Sequence, residues 1–140
     1  MIIAVLSLAG FFVAFYLLAY HLEWTGPVLC GVGDCETVQA SRYAMVGPVP
    51  VAGIGVAGYV VLFALSFAGI RPGLRRSGAI GGLLVAASAG GVAFSAYLTY
   101  LEAEVIHAWC QWCVISAVLV TLIFIASLPE LGRLRSEASA

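Results

Sequence analysis

His-Ala-Trp-Cys-Gln-Trp-Cys-Val stands at residues 107–114 and leads directly into a long apolar run without charged residues. This run is apolar enough and long enough to form most of a helix that crosses a membrane. Cys110 and Cys113 therefore lie at a predicted helix start, where free N–H groups and the helix dipole favour a thiolate. Trp109 and Trp112 flank the first thiol, and tryptophan prefers the boundary between water and lipid. The stretch predicts a redox-active dithiol near a membrane surface.

The composition of the chain points to the same environment. Its 140 residues are 63% hydrophobic and only 9% charged. A soluble domain of this length cannot bury so much apolar surface, so the composition predicts an integral membrane protein in contact with lipid. The formal net charge is −1 and no basic patch occurs, which argues against a nucleic-acid partner.

Four segments without Asp, Glu, Lys or Arg are long enough to cross a membrane, at residues 2–20, 51–70, 77–100 and 105–128. They predict an all-α fold, an integral membrane four-helix bundle formed by one domain over residues 1–140. The first segment has no basic region before it and no cleavage site after it, so we expect a retained helix in place of a signal peptide.

Small residues recur at a spacing of four along the third segment, which predicts tight helix packing and no ligand site there. They are Gly78, Gly82, Ala86 and Gly90, with Ala87, Gly91 and Ser95 beside them.

The second thiol pair, Cys30 and Cys35, lies in the one long polar segment, residues 21–50. Its glycines and prolines predict an outer loop that covers the bundle. Asp34 is placed to cap a short helix over residues 35–43. Glu102 and Glu104 fall in a short turn between the last two crossings, and we expect both carboxylates to be solvated.

The distribution of arginines predicts the orientation. Five of them fall on one side of the membrane, and only Arg42 falls on the other. The positive-inside rule then places both termini and the tail, residues 129–140, in the cytoplasm, with all four thiols on the outer face of the cytoplasmic membrane. That face is the oxidising one. The five arginines on the cytoplasmic side are Arg71, Arg75, Arg76, Arg133 and Arg135.

Two dithiols on one oxidising face predict a relay, because thiol–disulfide exchange passes electrons through mixed disulfides. A lipid-soluble electron acceptor suits a site among membrane helices. Four aromatic residues are candidates to line its pocket, although each could instead anchor the protein at the boundary between water and lipid. They are Trp109, Trp112, Tyr97 and Tyr100. A structural zinc site formed by the four cysteines is the main alternative. A transporter is disfavoured because no crossing carries a charge.

Several motifs in this order resemble the vitamin K epoxide reductase family, and its bacterial homologues most closely, over residues 1–128. The resemblance implies a four-helix bundle around a quinone that takes electrons from a thioredoxin-like partner and supports disulfide formation in exported proteins. The motifs are Cys30-x4-Cys35, Ser41, Gly47-x-Val49-Pro50 before a glycine-rich helix reaching Tyr59, Tyr97-Leu98-x-Tyr100 and Cys110-x-x-Cys113.

The resemblance also implies roles for the site residues. Cys113 corresponds to the thiol beside the quinone, and Cys110 to the thiol that exchanges with Cys35. Cys30 then exchanges with the partner, and Ser41 lies near the redox centre. The residues expected to contact the quinone are Cys113, Trp109, Trp112, Tyr59 and Tyr97.

Two departures from the vertebrate members concern the substrate. Those members have an Asn and a Tyr that touch the substrate carbonyls, at the positions of Val51 and Ala117 here. A respiratory quinone, ubiquinone or menaquinone, is therefore expected in place of vitamin K epoxide. Many bacterial members carry a fused thioredoxin-like domain. The present sequence ends at Ala140, so we expect the partner to be a separate protein.

Overall fold

The computed structural model describes residues 1–75 and 78–139, so the predictions that concern Arg76, Ser77 and Ala140 lie outside the described residues. Four of its helical segments are long and apolar enough to cross a membrane. These are Ile2–His21, Val51–Ala68, Ala79–Ile106 and Gln111–Arg133. The predicted all-α membrane bundle is confirmed. The α-helices in chain order are α1 (Ile2–His21), α2 (Cys35–Ala40), α3 (Val51–Ala68), α4 (Pro72–Arg75), α5 (Ala79–Tyr100) and α6 (Gln111–Ser139).

The long helices pack around a shared apolar core. Helix α1 lies against α3 and α6, and α5 lies against α6 and α3. Gly10 allows α1 to approach α3 closely, because a Cβ atom at this position would overlap the ring of Tyr59. Gly91 does the same for α5 and α6, where a Cβ would come within 2.7 Å of Val120. The buried core residues are Ala14, Tyr59, Leu62, Leu84, Val120 and Ile123.

The boundary between the last two crossings differs from the prediction. Helix α5 continues as a π-helix over Leu101–Ile106, and α6 begins at Gln111 and not at residue 105. The break has two local causes. His107 adopts a left-handed conformation with φ 56°, and the Cys110 amide donates to the Glu102 carboxylate at 3.0 Å. That bond explains a second difference: Glu102 is only 3% exposed and not solvated, whereas Glu104 is exposed.

The loop between α1 and α3 is built around α2. Asp34 caps this helix as predicted, since its carboxylate accepts the Thr37 amide at 3.1 Å and the Thr37 hydroxyl at 2.6 Å. The bond from the Thr37 side chain holds the pKa of Asp34 below its usual value. Helix α2 ends at Ala40, earlier than predicted, because Ser41 is extended and its hydroxyl donates to the Val38 carbonyl at 2.7 Å.

The remaining segments complete the frame of the bundle. A 3₁₀ turn, Arg42–Ala44, follows Ser41, and a short hairpin, β1 (Met45–Val46) with β2 (Val49–Pro50), leads into α3. At the other end of the chain, α6 runs through Pro129 into the predicted tail as far as Ser139. Proline inside a long membrane helix is tolerated where neighbouring groups satisfy the freed carbonyl.

Candidate functional site

All four cysteines meet at one end of the bundle. Cys30 and Cys35 form a disulfide with their Cα atoms 6.0 Å apart, and Cys110 and Cys113 are free thiols. Cys35 and Cys110 belong to one buried cluster, against which Cys30 and Cys113 pack. The loop disulfide and the helix dithiol are therefore neighbours, although more than seventy residues separate them in the sequence.

The cysteines differ in their access to solvent. Cys30 is half-buried, whereas Cys35 is 1% exposed and Cys110 is completely buried. Cys113 lies on the wall of an apolar cavity between the helices. Exposure thus decreases from Cys30 to the pair formed by Cys35 and Cys110, and Cys113 lies on the cavity side of that pair.

Backbone contacts hold the cysteine loop against the start of α6. Gly33 pairs with Cys110 in an isolated β-bridge, and the Asp34 amide donates to the Trp109 carbonyl at 2.7 Å. Gly33 has φ 91°, and a Cβ atom there would overlap that same carbonyl oxygen. Only glycine fits this conformation and this close approach without strain.

The two residues between Cys110 and Cys113 strengthen this docking. Gln111 Oε1 accepts the amides of Gly31 at 2.8 Å and Val32 at 2.9 Å. Trp112 donates its indole N–H to the Leu29 carbonyl at 2.7 Å. The intervening residues of the helix motif therefore bind the backbone on both sides of Cys30.

Replacing Gln111 with alanine removes the acceptor for the Gly31 and Val32 amides. One such hydrogen bond contributes about 0.5–1.5 kcal/mol, so we expect these amides to exchange with solvent about tenfold faster. Hydrogen-exchange mass spectrometry of the disulfide-bonded protein measures this rate. Gln111→Glu is the control, because it keeps an acceptor oxygen and should retain the protection. Equal exchange in wild type and Gln111→Ala would show that the docking does not depend on this side chain.

Cys110 caps the first turn of α6. Its sulfur accepts the Cys113 amide at 3.4 Å, and its carbonyl accepts the Val114 amide at 3.0 Å. The hydrogen bond from the Cys113 thiol is the main cause that lowers the pKa of Cys110 to about 7, with the Cys113 amide and Gln39 also contributing. The predicted thiolate-favouring helix start thus applies to Cys110, the thiol that faces the loop.

A titration of the reduced helix dithiol tests this cause. The lowered pKa means that Cys110 is mostly thiol below pH 7 and mostly thiolate above it. Thiolate ultraviolet absorbance should therefore rise with a midpoint about 7, and this rise should be missing in Cys110→Ala. In Cys113→Ala the main stabilising hydrogen bond is lost, so the midpoint should move up toward the ordinary value of 9.0. An unchanged midpoint in that variant would contradict the assigned cause.

The cavity beside Cys113 has a volume of about 500 Å³. Its walls come mainly from α3 and α5, and most of them are apolar. The lining also includes the polar residues Gln39, Ser41, Glu102 and Ser116, and the Gln39 amide lies 3.5 Å from the Cys113 sulfur. An apolar chamber lined by a few polar groups suits a ring that carries carbonyl oxygens and an apolar tail. These residues therefore fit a quinone.

The structure brings only some of the expected quinone contacts to this cavity. Cys113, Tyr59 and the loop residue Ser41 line it. Tyr59 is held by hydrogen bonds to the carbonyl and hydroxyl of Ser116 at 2.9 and 2.8 Å. Trp109, Trp112 and Tyr97 are not among the lining residues. Trp109 and Tyr97 are 48% and 55% exposed, and Trp112 contacts the loop.

Sequence reasoning missed several residues of the site. The Gln39 amide lies 3.5 Å from the Cys113 sulfur and 3.8 Å from the Cys110 sulfur. Its position one helical turn after Cys35 in the predicted loop helix was the available signal. Gly90 and Gly91, attributed to packing alone, also line the cavity, and nothing lies within 4 Å of a Cβ built at Gly90. No local pattern distinguishes such a glycine from one at a helix contact.

A comparison with known protein families agrees with this geometry. A model of the vitamin K epoxide reductase family matches residues 1–128, which contain the four membrane-crossing helices up to residue 128 and both cysteine pairs. Members of this family are oxidoreductases, and they use quinones in general. With its adjacent cysteine pairs at the end of a membrane bundle, this chain belongs to the vitamin K epoxide reductase family of membrane oxidoreductases.

Proposed function

We propose that this protein is a quinone-dependent thiol oxidase that oxidises a thioredoxin-like partner through its two cysteine pairs. The observation that carries the proposal is the position of the helix dithiol. Cys110 is buried beside Cys35 of the loop disulfide, while Cys113 lies on the wall of the apolar cavity. The dithiol thus has a disulfide on one side and space for a lipid-soluble acceptor on the other.

The exposure of the cysteines supports the order of the relay. A thiolate of the partner attacks Cys30, the more accessible sulfur of the loop disulfide, and the partner leaves oxidised. Cys35 then attacks Cys110 of an oxidised helix pair, because these two sulfurs share one buried cluster. The loop disulfide re-forms, and Cys110 and Cys113 become a dithiol.

The cavity supports a quinone as the final acceptor. A bound quinone accepts two electrons and two protons and leaves as the quinol. Tyr59 and the apolar residues of α3 and α5 would hold its ring and tail, and Gln39 and Ser41 would face its carbonyl oxygens near Cys113. Ubiquinone and menaquinone both meet this description.

The arginine distribution supports an orientation with the cysteines outside the cytoplasmic membrane and both termini inside. In that position the protein would regenerate the oxidant that forms disulfides in exported proteins. A membrane-impermeant maleimide should label the cysteine loop in reduced intact cells. A cysteine introduced at Gly132, near the opposite end of the bundle, should react only after lysis. Labelling of the loop only after lysis would overturn the orientation.

Turnover by the purified protein tests the proposed activity. The protein should oxidise a reduced thioredoxin-like protein when ubiquinone or menaquinone is present, and quinol should form in equal amount. Without quinone the reaction should stop once the partner has reduced the disulfides already present in the purified protein. A protein that contains one tightly bound zinc per chain and shows no quinone-dependent turnover would instead have a structural zinc site. The disulfide Cys30–Cys35 favours the redox function, because such a site needs all four thiolates.

A further inference from the structure

Glu102 is a buried carboxyl group inside the site, and the electron relay does not use it. It is 3% exposed and lies on the π-helical end of the third membrane-crossing segment. Among the described side chains, no basic one forms an ion pair with it, and the sequence contains no lysine. A carboxyl group held in a membrane span without a cation is costly, and such residues commonly mark proton or ion pathways.

Its position connects it to both cysteines and to the cavity. One oxygen accepts the Cys110 amide at 3.0 Å. Glu102 and Cys113 also lie on the wall of the same cavity. The same group therefore binds the backbone of one reacting cysteine and faces, together with the other, the space proposed for the acceptor.

We propose that Glu102 is the catalytic acid–base group that moves the Cys113 proton during oxidation of the helix dithiol; this inference rests on the proposed function. Among the polar groups near Cys113, Gln39 has an amide that does not take up a proton, and the Tyr59 hydroxyl is occupied by Ser116. A carboxylate that shares a cavity wall with a thiol is placed to accept its proton, directly or through one water, and to release it again.

The reaction balances as follows for the residues of this chain. Cys110 and Cys113 together lose two electrons and two protons, and an S–S bond forms between them. Glu102 takes the proton from Cys113 as its S–H bond breaks and then releases that proton into the cavity. The Cys110 proton is the second, and the quinone receives both protons and both electrons. Glu102 ends each cycle in its starting state.

Glu102→Gln removes the proton-accepting function with little change in shape. The amide keeps an oxygen for the Cys110 N–H, so the start of α6 should stay folded. General acid–base groups contribute typically 10²–10⁴-fold, so we expect quinol formation in a single turnover of the reduced protein to slow by about 10²-fold or more. Glu102→Asp keeps an acid and should be slowed less.

Glu104→Gln is the matched control, because the same change two positions along affects an exposed carboxylate. It should leave quinol formation unchanged. A wild-type rate in Glu102→Gln would overturn the proposal. Equal loss in Glu102→Gln and Glu102→Asp would also overturn it, because the acid function would then not explain the defect.

A second measurement does not depend on quinone. The reduced protein is oxidised with a thiol-specific chemical oxidant, and the infrared difference spectrum is recorded in the carboxyl stretching region. Because oxidation removes the Cys113 S–H group whose proton Glu102 is proposed to accept, the band of the Glu102 carboxyl group should shift, and this shift should be missing in Glu102→Gln and persist in Glu104→Gln. Absence of such a shift would overturn the role of Glu102. If the shift is present but the wild type reduces no quinone, the coupling of Glu102 to the dithiol is supported and the proposed acceptor is overturned.

Discussion

Cys113→Ala is expected to abolish quinone reduction and to accumulate a disulfide between Cys35 and Cys110. Cys110 remains nucleophilic and is buried in the same cluster as Cys35 of the loop disulfide. Once it attacks, the helix has no second thiol that could displace Cys35 from Cys110, so the mixed disulfide can be undone only by the return of Cys30. Loss of an essential reactive group reduces turnover on the order of 10³-fold or more. Quinol formation and mass-spectrometric mapping of disulfides measure the two effects.

Changes at the loop cysteines provide the controls for this prediction. Cys30→Ala should keep quinone reduction when a small dithiol replaces the protein partner, because only the outermost step is lost. Cys35→Ala should block transfer from the protein partner and still allow a small reductant to reach the helix pair. Quinone reduction that survives in Cys113→Ala, or disappears with the small dithiol in Cys30→Ala, would show that the relay runs in another order.

Gly90→Leu is expected to block the cavity without unfolding the protein. Nothing lies within 4 Å of a Cβ atom built at Gly90, and this residue lines the cavity of about 500 Å³. A leucine side chain would occupy space that the proposed quinone needs, and leucine also suits a helix better than glycine. Steric changes in an apolar pocket typically alter discrimination by 10–200-fold, so we expect the KM for quinone to rise at least about tenfold.

Gly132→Leu is the matched control, since Gly132 also has open space around it but does not line the cavity. This variant should keep the wild-type KM, and thermal unfolding in detergent should show that both variants fold. Exchange between the loop and helix cysteines should be unaffected in both, because neither substitution touches a sulfur. An unchanged KM in Gly90→Leu would place the quinone outside this cavity.

The sequence indicated the Asp34 cap correctly, and it indicated the thiolate-favouring start of α6 correctly for Cys110, because both depend on hydrogen bonds between residues close in the chain. Asp34 binds the Thr37 amide, and the Cys110 sulfur accepts the Cys113 amide. The sequence was less successful at the ends of segments. The start of α6 moved to Gln111 because a hydrogen bond from Cys110 to Glu102 and the left-handed His107 interrupt the helix. Apolar composition alone does not predict such contacts.

The sequence by itself determined that four helices are apolar enough to cross a membrane, that one cysteine pair falls in the loop after the first and that the other falls at the start of the last. Hydrophobicity and thiol spacing are properties of the chain order. Only the tertiary structure decided which side chains serve the thiols. The hydrogen bonds from the Gly31 and Val32 amides to Gln111 join residues about eighty positions apart. Likewise, the burial of Glu102 and the open space beside Gly90 exist only once α3, α5 and α6 have packed. Those properties depend on which surfaces the helices present to one another, and no local pattern encodes that choice.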